Sequence, residues 1–534
     1  MKRTVLFIAI CAALLSGCST GPGNVPGVVA SATPEATQAG LEVLENGGNA
    51  MDAAVAVAFS LAVTEPAMTG LGAGIQILVG IPGEKPFMIN GTTYSPASTP
   101  TTATREDIQF HRRSTVPSFV KTLDFAFKTY GSGPYSWQQA MQPAIRQAKS
   151  GFRMGRFRAR VYQQYEKKIL DSPYGMQHFL VDGKIPEEGE VLVQPVLAKT
   201  LQRLARVGAD DFYHGEIATT IAQDMKDNGG WISLKDLNDF PTPTVVPALE
   251  SSYRRYQVFT STPPCGGWVV LLALNLMEEL DGSMDRDQRL MEALALAHAE
   301  RQAHPIQNMV DYKSEVSERI SKEKASGLIR SSAFGPDAEP AAGTGETTHF
   351  SVVDKDGMVV TVTTSINAYF GSRAASPGLG FIYNSYMEDF VYNDSAHPFA
   401  VGPGKMAYSS MSPTIVRDKN GENVMATGSP GSARIISAVA QTIQYWIDVK
   451  KDIVEAVRVP RVHVTGNKAY MEKPDSTLFP WLTAHGLKFA EVDNGLDIDG
   501  LNSYFGGDHA VAFENGQWHG VADPRRDGVA ASTR

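Results

Sequence analysis

The 534-residue chain predicts an α+β fold, on three features of its sequence. Helical signals and small-residue apolar runs dominate the first two thirds. From Thr347 onward β-forming residues become dense, with strands expected near 350, 360, 382, 414 and 425, and a helix then returns from about Ala433 to Asp448. No internal repeat, low-complexity segment or linker separates these regions, so helices and strands are expected to pack in layers as one fold. With 43% hydrophobic residues, a chain of this length can bury a substantial core.

Taken in order, the chain opens with a positive pair, Lys2-Arg3, an apolar run from Val5 to Leu15, and Leu15-Ser16-Gly17-Cys18. This resembles a bacterial lipobox. The resemblance implies a signal peptide over residues 1–18, lipid on Cys18, and a mature protein exported and anchored to a bacterial membrane, facing the periplasm. The Gly- and Pro-rich stretch Ser19 to Pro26 reads as a tether. The apolar run is shorter than the ~20 residues a membrane-spanning helix needs. Of three cysteines, Cys11 leaves with the signal and Cys18 carries lipid, which leaves Cys265 alone and no intrachain disulfide. Cys265 lies in the turn Thr262-Pro263-Pro264-Cys265-Gly266-Gly267, where a small apolar role suits it better than that of a nucleophile. The net charge of −9 gives no compositional support for a nucleic-acid partner.

Thr33-Pro34-Glu35 starts a helix, with Thr as N-cap and Pro at the first helical position, and Gly47-Gly48 ends it. Asp52 to Val63 is almost wholly apolar and small, as a helix buried within the fold would be. Gly70-Leu71-Gly72-Ala73-Gly74 then leads into a strand from Ile75 to Gly80. Its glycines lack dinucleotide-binding spacing and are better explained by close backbone packing. Thr115 to Phe240 reads as mixed helices with short connectors. The eleven histidines form no metal-binding cluster, and no cofactor is implied.

The chain is organised around Glu346-Thr347-Thr348-His349-Phe350-Ser351-Val352-Val353-Asp354-Lys355-Asp356-Gly357. Alternating β-formers and the Asp354-Lys355-Asp356-Gly357 turn predict a hairpin with Thr347 at the mouth of its first strand. The small residues Ala341 to Gly345 before it suit an exposed processing loop. A cut between Glu346 and Thr347 frees an α-amino group of pKa ~8 on the residue that bears the hydroxyl, and so places a base beside a weak nucleophile.

Thr347-Thr348-His349-Phe350-Ser351-Val352-Val353-Asp354 resembles the start of the small subunit of the γ-glutamyltransferases, which are N-terminal-nucleophile hydrolases. Gly47-Gly48-Asn49-Ala50-Met51-Asp52-Ala53-Ala54, Gln194-Pro195, Phe212-Tyr213-His214-Gly215 and Pro263-Pro264-Cys265-Gly266-Gly267 follow that family's order over nearly the whole mature chain. The resemblance implies a four-layer αββα sandwich. It also implies self-cleavage at Glu346-Thr347 into a large subunit (19–346) and a small subunit (347–534) that stay together as a heterodimer. The implied reaction passes a γ-glutamyl group from a peptide or small-molecule donor through Thr347 to water or to an amino-acid or peptide amine. Gly428-Ser429-Pro430-Gly431-Ser432-Ala433-Arg434 matches the oxyanion loop, with the backbone N–H groups of Gly431 and Ser432 as donors and Ser432 where a second glycine is usual. Asn367 and Asp389 match the residues that grip the donor's amine, and Ser409 and Ser410 match those that grip its carboxylate. Ser365 stands where a threonine supports the nucleophile, and Tyr386 replaces an amide-bearing or acidic residue.

The segment Ile89 to Pro96 departs from the family pattern. The family carries a carboxylate-binding arginine there, and this chain has Thr92 and Thr93. Losing an Arg–carboxylate fork weakens selection for a free α-carboxylate. Arg373 is a candidate to replace that charge. The connection from Phe390 to Tyr408 is shorter than the family's lid-bearing version, which suggests a more open mouth, and Ala299-Glu300-Arg301 matches a family helix motif only in part. Two alternatives therefore stand beside the leading reading. One is an amidase or acylase of the same fold acting on a different acyl group, and the other is an inactive binding lipoprotein.

Overall fold

A computed structural model describes residues 26–331, 345–450, 452–492 and 495–534. Cys18, its signal and most of the expected processing loop lie outside the described residues. The two large sheets are each assembled from both sides of residue 346. The first runs in the order Val529–Ser532, Val28–Ser31, Gly345–Val353, Val359–Ala368, Gly74–Gly80, Phe87–Gly91 and Thr244–Pro247. The second runs Gln517–Ala522, His509–Glu514, Asn423–Thr427, Thr414–Arg417, Tyr256–Thr260 and Leu249–Tyr253.

Alternation along the strands sorts side chains into three apolar cores, and these separate four layers. Val28, Ala30, Leu78, Met88, Val353, Val359, Ile415, Ala426 and Val511 fill the space between the sheets. Their strand neighbours Val29, Ile77, Val352 and Val360 face the other way, into a helical layer that includes the helix Ala50–Thr64. On the far side, the helices Gly267–Glu279, Arg286–Ala303 and Arg434–Gln444 cover the second sheet. The αββα sandwich is therefore present, and both of its sheets draw strands from either side of residue 346.

Local chemistry accounts for the elements near the centre. Thr33 caps the helix Pro34–Glu45 through its hydroxyl, 3.2 Å from the Ala36 N–H. The helix Ala50–Thr64 is buried along its whole length, and Asn49 and Asp52 close a capping box at its start. The Ala50 N–H also donates to Asp354 at 2.9 Å, tying this helix to the hairpin that follows the strand Gly345–Val353. Asp354 itself organises that hairpin by accepting from the N–H groups of Asp356 and Met358, and Gly357 supplies the positive φ of +83°. Close packing explains the glycine cluster, because a Cβ on Gly72 would come within 2.4 Å of the Ile382 carbonyl oxygen.

Two expectations change. The segment near 382 forms only isolated bridges, Ala375 with Ile382 and Gly72 with Tyr383, because its backbone turns within a few residues to bring Asn384, Tyr386 and Asp389 inward. Thr347 is the third residue of its strand, and the residues flanking it, Glu346 and Thr348, are paired, since the ladder to Val359–Ala368 extends back to Gly345.

Ile415 is fully buried between the sheets, so Ile415→Ala removes packing from both. Urea unfolding should show a loss of about 2–5 kcal/mol. A loss below ~1 kcal/mol would contradict a close-packed layer there.

Candidate active site

Strand alternation sets Thr347, His349, Ser351 and Val353 on the inter-sheet face of the nucleophile strand. His349 Nδ1 lies 2.9 Å from Thr363 Oγ1, and the Ser351 hydroxyl donates to the His509 carbonyl of the second sheet at 3.0 Å. Burial, reinforced by His509, pushes the His349 imidazole well below its ordinary pKa, so it is a neutral structural group. A Cβ on Gly428 would come within 2.3 Å of this ring, which seats the glycine-rich loop directly against the nucleophile strand.

A break in strand register positions the candidate nucleophile. Thr364 pairs with Thr348, but the next pair is Asn367 with Glu346, so Ser365 and Ile366 together face Thr347 in a β-bulge. The bulge brings the Ser365 hydroxyl into a three-way contact. It donates to the Glu346 carbonyl oxygen at 2.6 Å and accepts from Thr347 Oγ1 at 3.2 Å and from the Asn367 N–H at 2.8 Å. Tyr386 is buried with its hydroxyl facing both Ser365 and Ser409.

Asn367 adopts φ +73°, a conformation asparagine tolerates, and its side-chain N–H donates to the Ser385 carbonyl at 3.2 Å. The Asn367 side chain also hydrogen-bonds Asp389. Burial, then the neighbouring Glu388, pushes the Asp389 carboxyl up to about 7, while the bond from Asn367 acts in the opposite direction. Asp389 lines a groove of about 400 Å³ together with Thr104, Arg105, Glu106 and Tyr392.

At Ser409 and Ser410 the structure supplies a guanidinium that the sequence reading passed over. Arg301 donates to Ser410 Oγ and to the Ser409 carbonyl, both at 3.0 Å, and stacks 4.5 Å from the Tyr408 ring centre. The partial match at Ala299-Glu300-Arg301 was the only signal for it. Arg373 lies elsewhere, over the Phe110 ring, with Arg113 and Glu388 as its charged neighbours. Thr93 is buried, and the methyl of its side chain lies 2.9 Å from a Cβ built on Gly74, itself against the Tyr386 ring. Cys265 is buried with its thiol pushed up to about 12 by burial, which fits an unreactive apolar residue.

The glycine-rich loop leads into the helix Arg434–Gln444 with Gly431 at φ +119° and Ser432 at φ +55°. Ser432 thus holds the left-handed conformation that a glycine would adopt without strain. Glu346 is also held. Its carboxylate meets Arg526 at 2.8 Å and Arg434 at 3.5 Å. Among the described residues no group of acidic, histidine or cysteine side chains is arranged to hold a metal ion.

A threonine at the inner end of a central strand, between two sheets walled by helices, defines the N-terminal-nucleophile hydrolase class. The chain belongs to the gamma-glutamyltranspeptidase family, whose family model matches residues 36–533. It is 35% identical over 480 residues to the glutathione hydrolase proenzyme of Escherichia coli (strain K12), covering 82% of this chain and 80% of that one. To the glutathione hydrolase proenzyme of Bacillus subtilis (strain 168) it is 33% identical over 548 residues, covering 94% and 91%. Among solved structures, a cephalosporin acylase from Bacillus halodurans superposes with a TM-score of 0.83 at 25% identity, covering 95% of this chain and 96% of that one.

Replacing Ser432 by Gly should relieve left-handed strain and raise stability by about 1 kcal/mol in thermal unfolding. Gly431→Ala, at a φ that L-residues rarely adopt, should cost about 1–3 kcal/mol.

Proposed function

We propose that this chain is the precursor of a self-processing γ-glutamyltransferase or glutathione hydrolase, with Thr347 as nucleophile. The observation that carries the reading is the Ser365 hydroxyl bonded at once to Thr347 Oγ1 and to the carbonyl that Thr347 must attack. In maturation, Thr347 Oγ attacks the Glu346 carbonyl carbon, and the amide nitrogen takes up a proton as the C–N bond breaks. Water then hydrolyses the resulting ester, leaving Glu346 with a free carboxylate and Thr347 with a free amine. Residues 19–346 and 347–534 become large and small subunits, held together by the sheets they share.

In the mature enzyme the Thr347 amine accepts the hydroxyl proton while Oγ attacks the side-chain amide of a γ-glutamyl donor. The N–H groups of Gly431 and Ser432 receive the charge that develops on the carbonyl oxygen. Asn367 and Asp389 hold the donor's ammonium. Ser409 and Ser410 hold its carboxylate, with Tyr386 closing the corner and Arg301 lending charge from behind the serines. Water or an amine then takes the acyl group. Arg373 borders the site at Glu388 and contributes to the field there. Lipid on Cys18 anchors the enzyme to the membrane, and fatty-acid labelling that persists in Cys18→Ser would remove that part of the reading.

An acylase acting on other acyl groups is the second reading. It is favoured by the buried Thr92 and Thr93 where an arginine was expected and by the likeness to a cephalosporin acylase. Wild-type protein should turn over γ-glutamyl anilides, and Thr347→Ala should remain a single, inactive chain. Turnover confined to acyl anilides without the α-amine would favour the second reading. For amine-bearing donors kcat/KM should fall roughly five-fold from pH 7 to pH 6 as Asp389, with its pKa of about 7, takes up a proton. A donor without the amine should lack that component. A drop of equal size for both donors would remove Asp389 from ammonium binding.

A further inference from the structure

The mechanism above makes no use of the Glu346 side chain, yet that carboxylate is buried. It is 5% exposed and lies against Arg526, 1% exposed, at 2.8 Å and Arg434, 12% exposed, at 3.5 Å. The two arginines come from distant segments. Arg434 opens the helix that follows the glycine-rich loop and stacks 4.4 Å from the Tyr504 ring centre. Arg526 follows Arg525 and Asp523 near the chain's end, and packs 4.3 Å from the Phe157 ring centre and against Met68. Both guanidinium groups are themselves fixed, so the carboxylate they hold is fixed too. Glu346 also carries the carbonyl that accepts from Ser365.

We propose that Arg526 and Arg434 are positioning residues for self-cleavage, gripping the Glu346 side chain so that its carbonyl stays against Ser365 and within reach of Thr347 Oγ. This rests on the reading that Thr347 cuts the chain at Glu346. A peptide carbonyl held only by strand pairing can rotate at the end of a ladder. A buried, two-armed carboxylate clamp one residue before the bond removes that freedom, and misplacement by about 1 Å is enough to cost orders of magnitude in rate. Because Arg526 reaches the clamp only when the last strands have docked, the arrangement also makes cleavage wait for the completed fold. The remaining acid facing Arg526 is Glu65, whose carboxyl pKa is raised by burial.

The test follows cleavage of freshly refolded full-length protein by gel. Wild type should cleave, Glu346→Gln should cleave more slowly, and Glu346→Ala should be slower than wild type by about ten-fold or more. Glu346→Ala deletes a CH2–carboxylate unit, so added acetate should speed cleavage of that variant and acetamide should not. A purely structural role for Glu346 would give no such rescue. Arg526→Gln should slow cleavage similarly, and combining it with Glu346→Ala should add nothing further. Thermal unfolding in the Thr347→Ala background reports folding separately, and if Arg526→Gln fails to fold, the Glu346 variants and acetate decide the matter. Glu346→Ala cleaving at the wild-type rate, or slowed without acetate rescue, overturns the proposal. Failure of wild type to cleave would instead overturn the underlying self-processing reading.

Discussion

The architecture converges on one hydroxyl placed by one extra residue in a strand. Without the bulge at Ser365 and Ile366, strict alternation would leave Thr347 opposite a single residue and the ladder would continue unbroken. With it, Ser365 reaches Thr347 Oγ1, the Glu346 carbonyl and the Asn367 N–H together. The bulge also shifts the strand's last residues, so that Asn367 turns through a positive φ toward Asp389. The proposed nucleophile, the proposed scissile carbonyl and the proposed amine-binding pair therefore share one local distortion. The two sheets, with strands held about 4.8 Å apart by their ladders, provide the rigid frame such a distortion needs.

Burial sets the electrostatics around this hub. Imidazoles at His349 and His509 are held neutral beneath the loop, and Asp389 is pushed toward neutrality at the groove. The charges that remain are paired. Glu346 is matched to Arg526 and Arg434, while Arg525 and Arg461 are locked onto Asp523. An unpaired charge at such depth would cost several kcal/mol, which explains why Arg434, Arg461, Arg525 and Arg526 each face a carboxylate. Arg301 stands out among them because its donors end on a hydroxyl and a carbonyl, not on a carboxylate.

Much of this was legible in the sequence, and what was not has a common cause. The buried helix Ala50–Thr64, the Thr33 cap and the Asp354 hairpin depend on short-range chemistry, and the order of Thr347, Asn367 and Asp389 was legible through the family resemblance. The contacts of Glu346 with Arg526 and of Arg301 with Ser410 span long separations, and no periodicity reports them. Arg373, a candidate by charge and proximity in sequence, turns its backbone at φ +58° and lays its side chain over Phe110, beside Arg113 and Glu388. The strand expected near 382 was a misreading of apolar density, since Phe381, Ile382 and Tyr383 are buried by packing against helices with only bridge-like pairing.

The shared hydroxyl is the claim on which the account stands, and the rate of self-cleavage in Ser365 variants tests it most directly. Ser365→Ala keeps the backbone and removes the donor to the Glu346 carbonyl and the acceptor for Thr347, whereas Ser365→Thr keeps both. The account predicts that Ser365→Thr cleaves at a rate near wild type and that Ser365→Ala is slower by about a hundred-fold or more. A Ser365→Ala chain that divides at Thr347 as fast as wild type would contradict it.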